Sequence, residues 1–196
     1  GYTIRGKIAG LDNPYVYLLR YTGEVEVIDS AKVTKGDFVF KGKAEQPEVV
    51  YLSTDKQQPF VHFFLENGRI SVDGALSAPA DIAVLGTPSN DIQRAFDEKI
   101  AALEEEFAKT GNDVQRDSLR KEYSKLMSDA VEMNRDNIYG VTTFLNNAYA
   151  FLSPEEVMEQ IALFPAEWQQ RRELTELREA TERKLRVSAG HPYIDL

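Results

Sequence analysis

The chain of 196 residues contains no cysteine. It can therefore form neither a structural disulfide nor the cysteine pair of a thiol–disulfide redox centre, because both require sulfur. This absence does not fix the compartment, since an oxidising envelope and a reducing cytosol both contain proteins without cysteine. Long apolar runs are also missing, and no stretch approaches the ~20 residues that cross a bilayer. We expect no transmembrane segment.

Histidine and basic residues are scarce. The two histidines, His62 and His191, are too few for a histidine-rich metal site, and no nucleophile is evident beside either. The 32 acidic residues outnumber the 23 basic ones, and the net charge of −9 argues against a nucleic-acid partner. The run Glu104–Glu106 offers carboxylates, but adjacent helical residues point in different directions and cannot converge on one ion. We expect no catalytic residue, cofactor or metal.

The first half of the chain consists of short apolar runs separated by turn residues. In the opening segment Tyr2, Ile4 and Ile8 alternate with polar residues, which is typical of a strand with one buried face. The pairs Lys35-Gly36 and Asn67-Gly68 predict tight hairpins, the second of type I′. This pattern favours an antiparallel β-sandwich or a partly open barrel. The predicted strands are Tyr2–Ala9, Tyr15–Tyr21, Val25–Val33, Asp37–Ala44, Val49–Thr54, Phe60–Leu65, Arg69–Asp73 and Asp81–Leu85.

The hydrophobic period changes from two to 3.6 after Pro88, and this change predicts a helical bundle. Ser89 or Asn90 can cap the first helix, whose apolar stripe should be buried as far as Phe107. Phe107→Asp is then expected to destabilise the protein by several kcal/mol, and a change at the solvent-facing Glu105 by less than about 0.5 kcal/mol. Four further helices are predicted. The second helix ends near Asn137, the third spans Ile138–Phe151, the fourth runs from Ser153 to before Pro165, and the last spans Ala166–Arg186.

These two patterns predict an α+β fold in which an N-terminal sandwich or barrel is followed by a helical bundle. The predicted domains are residues 1–88 and 89–187, with residues 188–196 as a tail.

Aromatic residues with polar tips form the one candidate ligand surface. Tyr15, Tyr17, Tyr51 and His62 could form a sheet face that binds a glycan or a peptide, although aromatic residues in strands more often pack in the core. Strand alternation places His62 with Phe60 and Phe64, which favours a half-buried histidine over a ligand or base. Exposure of these side chains would favour binding, and burial would weigh against it.

The stretch Ile28-Asp29-Ser30-Ala31, continued by Gly36-Asp37-Phe38-Val39-Phe40-Lys41-Gly42, and the opening Tyr2-Thr3-Ile4-Arg5-Gly6 carry a family resemblance. They resemble the "domain of unknown function" β module that precedes thioredoxin-like domains in exported proteins of Gram-negative bacteria. The last seven residues, Gly190-His191-Pro192-Tyr193-Ile194-Asp195-Leu196, resemble the first strand of the thioredoxin-like or peroxiredoxin-like domain in that family.

The resemblance implies an accessory region of a thiol–disulfide interchange protein. The implied partners are the protein's own C-terminal redox domain, which bears the cysteine pair, and a second protomer or a protein substrate. The implied location is the periplasm or cell envelope. Since the chain begins at Gly1 rather than Met, we expect an export signal or a lipid-anchor segment upstream. The alternative hypothesis is a glycan- or peptide-binding module that uses the aromatic sheet face.

Overall fold

The structure, a computed structural model, describes residues 1–148 and 152–190. Strands are followed by helices, so the predicted α+β class is confirmed. The chain divides into two compact units, Gly1–Lys99 and Ile100–Leu196. This division falls inside the first helix rather than at its start. The assignment of residues 1–88 and 89–187 as domains stays a prediction.

The strands of the first unit lie where the alternating pattern predicts them, with ends that shift by a few residues. A single 3₁₀ turn, Pro79–Asp81, precedes the last strand and shortens it. The strands are β1 (Tyr2–Ala9), β2 (Tyr15–Tyr21), β3 (Val25–Lys32), β4 (Asp37–Gly42), β5 (Glu48–Ser53), β6 (Pro59–Leu65), β7 (Gly68–Ala75) and β8 (Ala83–Leu85).

Two four-stranded sheets form a sandwich. The first sheet has the order β4-β1-β7-β8 and the second the order β3-β2-β5-β6. Ile4 and Phe40 of the first sheet and Leu52 and Phe63 of the second are fully buried in one shared hydrophobic core. The prediction of an entirely antiparallel sandwich was wrong at one pair, because β1 and β7 run parallel from Tyr2↔Gly68 onward.

Both predicted hairpins were wrong, although one of the two tight turns is present. Lys35 and Gly36 both have positive φ, 51° and 83°, and Thr34 and Asp37 exchange two backbone hydrogen bonds across them, so the tight turn is present. It joins β3 to β4 in the other sheet, however, so the predicted hairpin was wrong here. Asn67-Gly68 was also wrongly predicted as a hairpin, since it joins β6 to β7 in the other sheet. The Asn67 amide instead accepts from the Ala44 N–H at 3.0 Å and donates to its carbonyl at 2.9 Å.

Three of the described helices begin at a capping side chain. Ser153 and Glu156 form a complete capping box, and the Asn112 side chain accepts hydrogen bonds at the start of another helix. The predicted helix Ile138–Phe151 is a short α-helix followed by a π turn at Phe144–Ala148, and Phe151 lies outside the described residues. The predicted helix Ala166–Arg186 is two helices. The described helices are α1 (Pro88–Lys109), α2 (Asp113–Met133), α3 (Ile138–Thr143), α4 (Pro154–Ala162), α5 (Ala166–Gln169) and α6 (Arg172–Ser188).

Polar caps and an apolar core hold the helical unit together. Asn134, at the end of α2, donates to the Ala130 carbonyl and accepts from Asn137, whose own side chain caps α3 at Gly140. Large apolar side chains from α2 to α6 are buried around them, including Met127, Val131, Ile138, Phe144, Val157, Ile161, Phe164, Trp168 and Leu174.

The apolar stripe of α1 is buried less than the sequence predicts. Phe96 is buried, but Phe107 remains 36% exposed beneath the guanidinium groups of Arg116 and Arg120. The expectation of a several-kcal/mol loss for Phe107→Asp therefore does not follow from the structure, because a charge there would reach water. Glu105 is exposed as predicted, and its carboxylate pairs with Lys109 at 2.7 Å.

Candidate functional site

The start of α1 is fixed to the edge of the second sheet by buried side chains. Asn90 is only 2% exposed. Its carbonyl oxygen accepts from the Phe64 N–H at 3.0 Å, and its amide nitrogen donates to the Phe64 carbonyl at 2.8 Å and to the Thr87 hydroxyl at 2.7 Å. Since β6 is an edge strand, Asn90 satisfies two backbone groups there that would otherwise lack a strand partner.

Two neighbouring carboxylates complete this attachment. Glu66 accepts hydrogen bonds from the backbone N–H and from the hydroxyl of Ser89, so a negative charge lies at the N-terminus of α1 where the helix dipole favours it. Asp91 accepts from the Gly86 N–H at 2.7 Å. We call Glu66, Ser89, Asn90 and Asp91 the α1 clasp.

The predicted ligand residues lie together on the outer face of the second sheet. Tyr15 and Tyr17 alternate with the core residues Val16 and Leu18 along β2, so they point away from the sandwich core. Tyr51 of β5 stands opposite Leu19 of β2 on one side and opposite His62 of β6 on the other. We call Tyr15, Tyr17, Tyr21, Tyr51 and His62 the tyrosine face.

Three side chains of the tyrosine face, Tyr21, Tyr51 and His62, are in contact. The rings of Tyr21 and Tyr51 meet edge to face with centroids 4.6 Å apart, and those of Tyr51 and His62 are 6.0 Å apart. The Lys56 ammonium lies 4.8 Å from the Tyr17 ring centroid, a cation–π contact. Burial raises the pKa of the Tyr51 hydroxyl, and the neighbouring Tyr21 raises it further.

Exposure differs across the predicted aromatic set. Tyr15 is 48% and Tyr21 is 42% exposed, Tyr17 and Tyr51 are half-buried, and Phe63 and Phe64 are buried. The tyrosines thus form a surface, whereas Phe63 belongs to the sandwich core and Phe64 is buried outside that core. The interpretation of His62 as half-buried was wrong: its side chain is exposed, because alternation fixes the face of a strand but not what covers that face.

Asp97 of α1 lies close enough to His62 for their charges to interact. Asp97 is exposed, yet the atoms around it desolvate its carboxylate and raise its pKa, while Arg94 and His62 act in the opposite direction. A raised pKa in the folded state means that the protonated carboxyl is favoured by folding.

We therefore expect Asp97 to contribute stability below the ordinary aspartate pKa and to lose this contribution as pH rises through its folded-state pKa. Asp97→Asn should raise the melting temperature at pH 7 and change it little at pH 3. Thermal melts across this range check the prediction, with the exposed Asp12→Asn as the matched control. A fall in melting temperature at pH 7 would show that attraction to His62 and Arg94 outweighs desolvation.

Other site chemistry is limited in the described part of the chain. Within residues 1–148 and 152–190, no three histidine or acidic side chains come close enough to hold a metal ion. Among the helices described, none is long and apolar enough to cross a membrane. His191 and the predicted first strand of a thioredoxin-like domain lie outside the described residues, which end at Gly190.

The first unit is a two-sheet β-sandwich closed at one edge by the start of a helix. Residues 2–93 match a family model described as Domain of unknown function (DUF4369). The match covers somewhat less than half of the chain and includes all eight strands and the α1 clasp. The predicted domain of unknown function is thus confirmed over residues 2–93. Comparison with curated proteins and with solved structures finds no match.

Sequence reasoning missed the α1 clasp. Ser89 and Asn90 were predicted to cap the helix, but the helix begins before them, at Pro88, and their side chains bond to the β unit instead. The Thr-Pro-Ser-Asn-Asp composition indicated a helix start, and nothing local in it specifies a distant strand as the partner.

Proposed function

We propose that the chain is a non-catalytic accessory region of an envelope thiol–disulfide oxidoreductase of the thioredoxin-like family. In this role it supports the redox domain or positions that domain's protein substrate. The proposed location is the periplasm or the cell envelope, with a lipid anchor upstream as one way of attachment. The chain supplies no thiol itself, so the chemistry would belong to the redox domain.

The observation that carries the proposal is the match of residues 2–93 to a domain of unknown function, together with the resemblance of the Ile28–Gly42 segment to modules that precede redox domains. The match supports the identity of the β module. The association with a redox domain rests on the sequence resemblance. The clasped start of α1 suits such a role, because it couples the β unit to a helix that continues beyond it.

A second candidate function is recognition of a glycan or peptide by the tyrosine face. Tyr15 and Tyr21 are exposed, and Lys56 beside Tyr17 adds a cation to an aromatic surface. Aromatic rings with polar tips can stack on a ligand while their hydroxyls form hydrogen bonds.

The experiment uses the proposed longer protein, which contains this chain and the redox domain, and compares it with a version that lacks residues 1–99. Reduction of insulin should change several-fold when these residues are removed, while reduction of a small aromatic disulfide should not, because only the large substrate needs positioning. The 196-residue chain alone should not accelerate insulin reduction above buffer with dithiothreitol, since thiolate attack needs a cysteine.

Equal effects on both substrates, or none on either, would contradict the accessory role. Tyr15→Ala/Tyr17→Ala in the longer protein separates the two candidates. Unchanged insulin reduction fits general support by the β unit, whereas a loss equal to that of the deletion would assign recognition to the tyrosine face. Val39→Ala, an exposed position on the first sheet, is the matched control.

A further inference from the structure

The helical unit contains an apolar groove that the proposed function does not use. Leu103 and Phe107 of α1 line one side, and Leu119, Met127 and Val131 of α2 line the other. The groove has a volume of about 590 Å³. This lies within the range of roughly 300–1,000 Å³ that is typical of small-molecule sites with apolar walls and few polar groups.

The groove is long rather than round. Leu119 and Val131 are twelve residues apart on α2, and at 1.5 Å per residue this corresponds to about 18 Å along the helix. The Leu119 end is the one nearer the turn that joins α1 to α2, and Phe144 of the π turn lines the groove together with Val131. Its apolar walls would leave the hydroxyls of a sugar without hydrogen-bond partners, which argues against a glycan.

Two arginines lie near the Leu119 end, and Nε of Arg116 donates to the Thr110 carbonyl at 3.2 Å, which leaves its terminal N–H groups to meet an anion. The guanidinium carbons of Arg116 and Arg120 each lie 5.7 Å from the ring centroid of Phe107, a lining residue. Arg120 pairs with Asp117 at 3.2 Å, but both side chains are about two-thirds exposed, so this ion pair is weak. The Arg120 guanidinium can therefore bind a further anion. Glu104, the acidic lining residue, lies three residues before Phe107 and disfavours a polyanion.

We propose that this groove binds a single unbranched acyl chain with one carboxylate head. The tail would lie along α2 between Leu119 and Val131, and the carboxylate would meet Arg116 and Arg120. Arginine suits this position because its planar guanidinium binds carboxylates through two parallel hydrogen bonds. Met127 in the wall is flexible and can adapt to an aliphatic chain.

The test titrates the 196-residue chain with dodecanoate below its micellar concentration, using isothermal titration calorimetry. We expect one site per chain. Dodecyltrimethylammonium, which has the same tail and a positive head, should bind at least about tenfold more weakly, because a charged hydrogen bond is replaced by repulsion. Butanoate, with the same head and almost no tail, should give no measurable heat.

Variants locate the site. Arg116→Ala/Arg120→Ala should weaken dodecanoate binding about tenfold or more, whereas Lys121→Ala/Lys125→Ala removes the same charge from exposed positions of α2 and should not. Ser124→Trp fills the groove from an exposed lining position and should abolish binding. Circular dichroism establishes whether each variant is folded. Where a variant is not folded, the relative affinity of the wild-type chain for dodecanoate and dodecyltrimethylammonium tests the proposal.

Three results would overturn the proposal: no saturable binding of dodecanoate, equal affinity for the cationic and anionic amphiphiles, or equal losses in the arginine and lysine pairs. A concentration-dependent dimer in sedimentation that Ser124→Trp disrupts would instead assign the groove to a second copy of the chain, and would also overturn it.

Discussion

Replacing Asn90 by alanine should lower the free energy of unfolding by about 2–4 kcal/mol. The substitution leaves the Phe64 N–H, the Phe64 carbonyl and the Thr87 hydroxyl without the Asn90 amide. Asn90 is 2% exposed, so water does not readily replace it, and each unsatisfied buried group costs about 1–3 kcal/mol. Urea unfolding followed by circular dichroism measures the loss.

Asn13→Ala is the matched control, because Asn13 is an exposed asparagine in the same β unit. Its effect should stay within about 0.5 kcal/mol. If Asn90→Ala were equally mild, water would be occupying the vacated position at the edge of β6, and the α1 clasp would not hold the helix start in place.

Gly140→Ala should destabilise the helical unit by about 3 kcal/mol or more, the upper end of the cost of overpacking. A Cβ at residue 140 would lie 1.8 Å from the backbone carbonyl oxygen of Asn134 and 2.4 Å from its carbon. Backbone atoms cannot rotate away as a side chain can, so the end of α2 and the start of α3 would have to separate. A thermal melt should show a fall in melting temperature.

Gly111→Ala provides the comparison, because a Cβ there meets no atom within 4 Å. The two substitutions add the same methyl group, so their difference measures the close approach at residue 140 alone. Equal melting temperatures would mean that the α2–α3 junction is looser than the contact between Gly140 and Asn134 indicates.

The strands were predictable because their signal is local. Alternation in Tyr2–Ala9 and the turn residues at Lys35-Gly36 specify a strand and a turn within a few residues. The parallel pairing of β1 with β7 was not predictable, since the paired residues lie more than sixty positions apart in the sequence. A strand shows the same alternation of apolar and polar residues whether its neighbour runs parallel or antiparallel. Asn67 shows the same limit, because its amide contacts Ala44 rather than its neighbours in sequence.

The candidate sites were predictable only in part, because periodicity tells which residues share a face and not what covers it. It correctly grouped Tyr15 and Tyr17 on one side of β2, but it overestimated the burial of His62 and Phe107. The asparagine at position 90 looked like a helix cap, and only the tertiary fold brings β6 to it.

The proposed role is tested most directly by determining the reading frame on both sides of this chain. The proposal predicts an export signal upstream of residue 1 and a Cys-x-x-Cys pair downstream of residue 196, within a thioredoxin-like domain. A frame that continues without such a pair, ends near residue 196, or starts at a methionine just before residue 1 would contradict an accessory role in an envelope oxidoreductase.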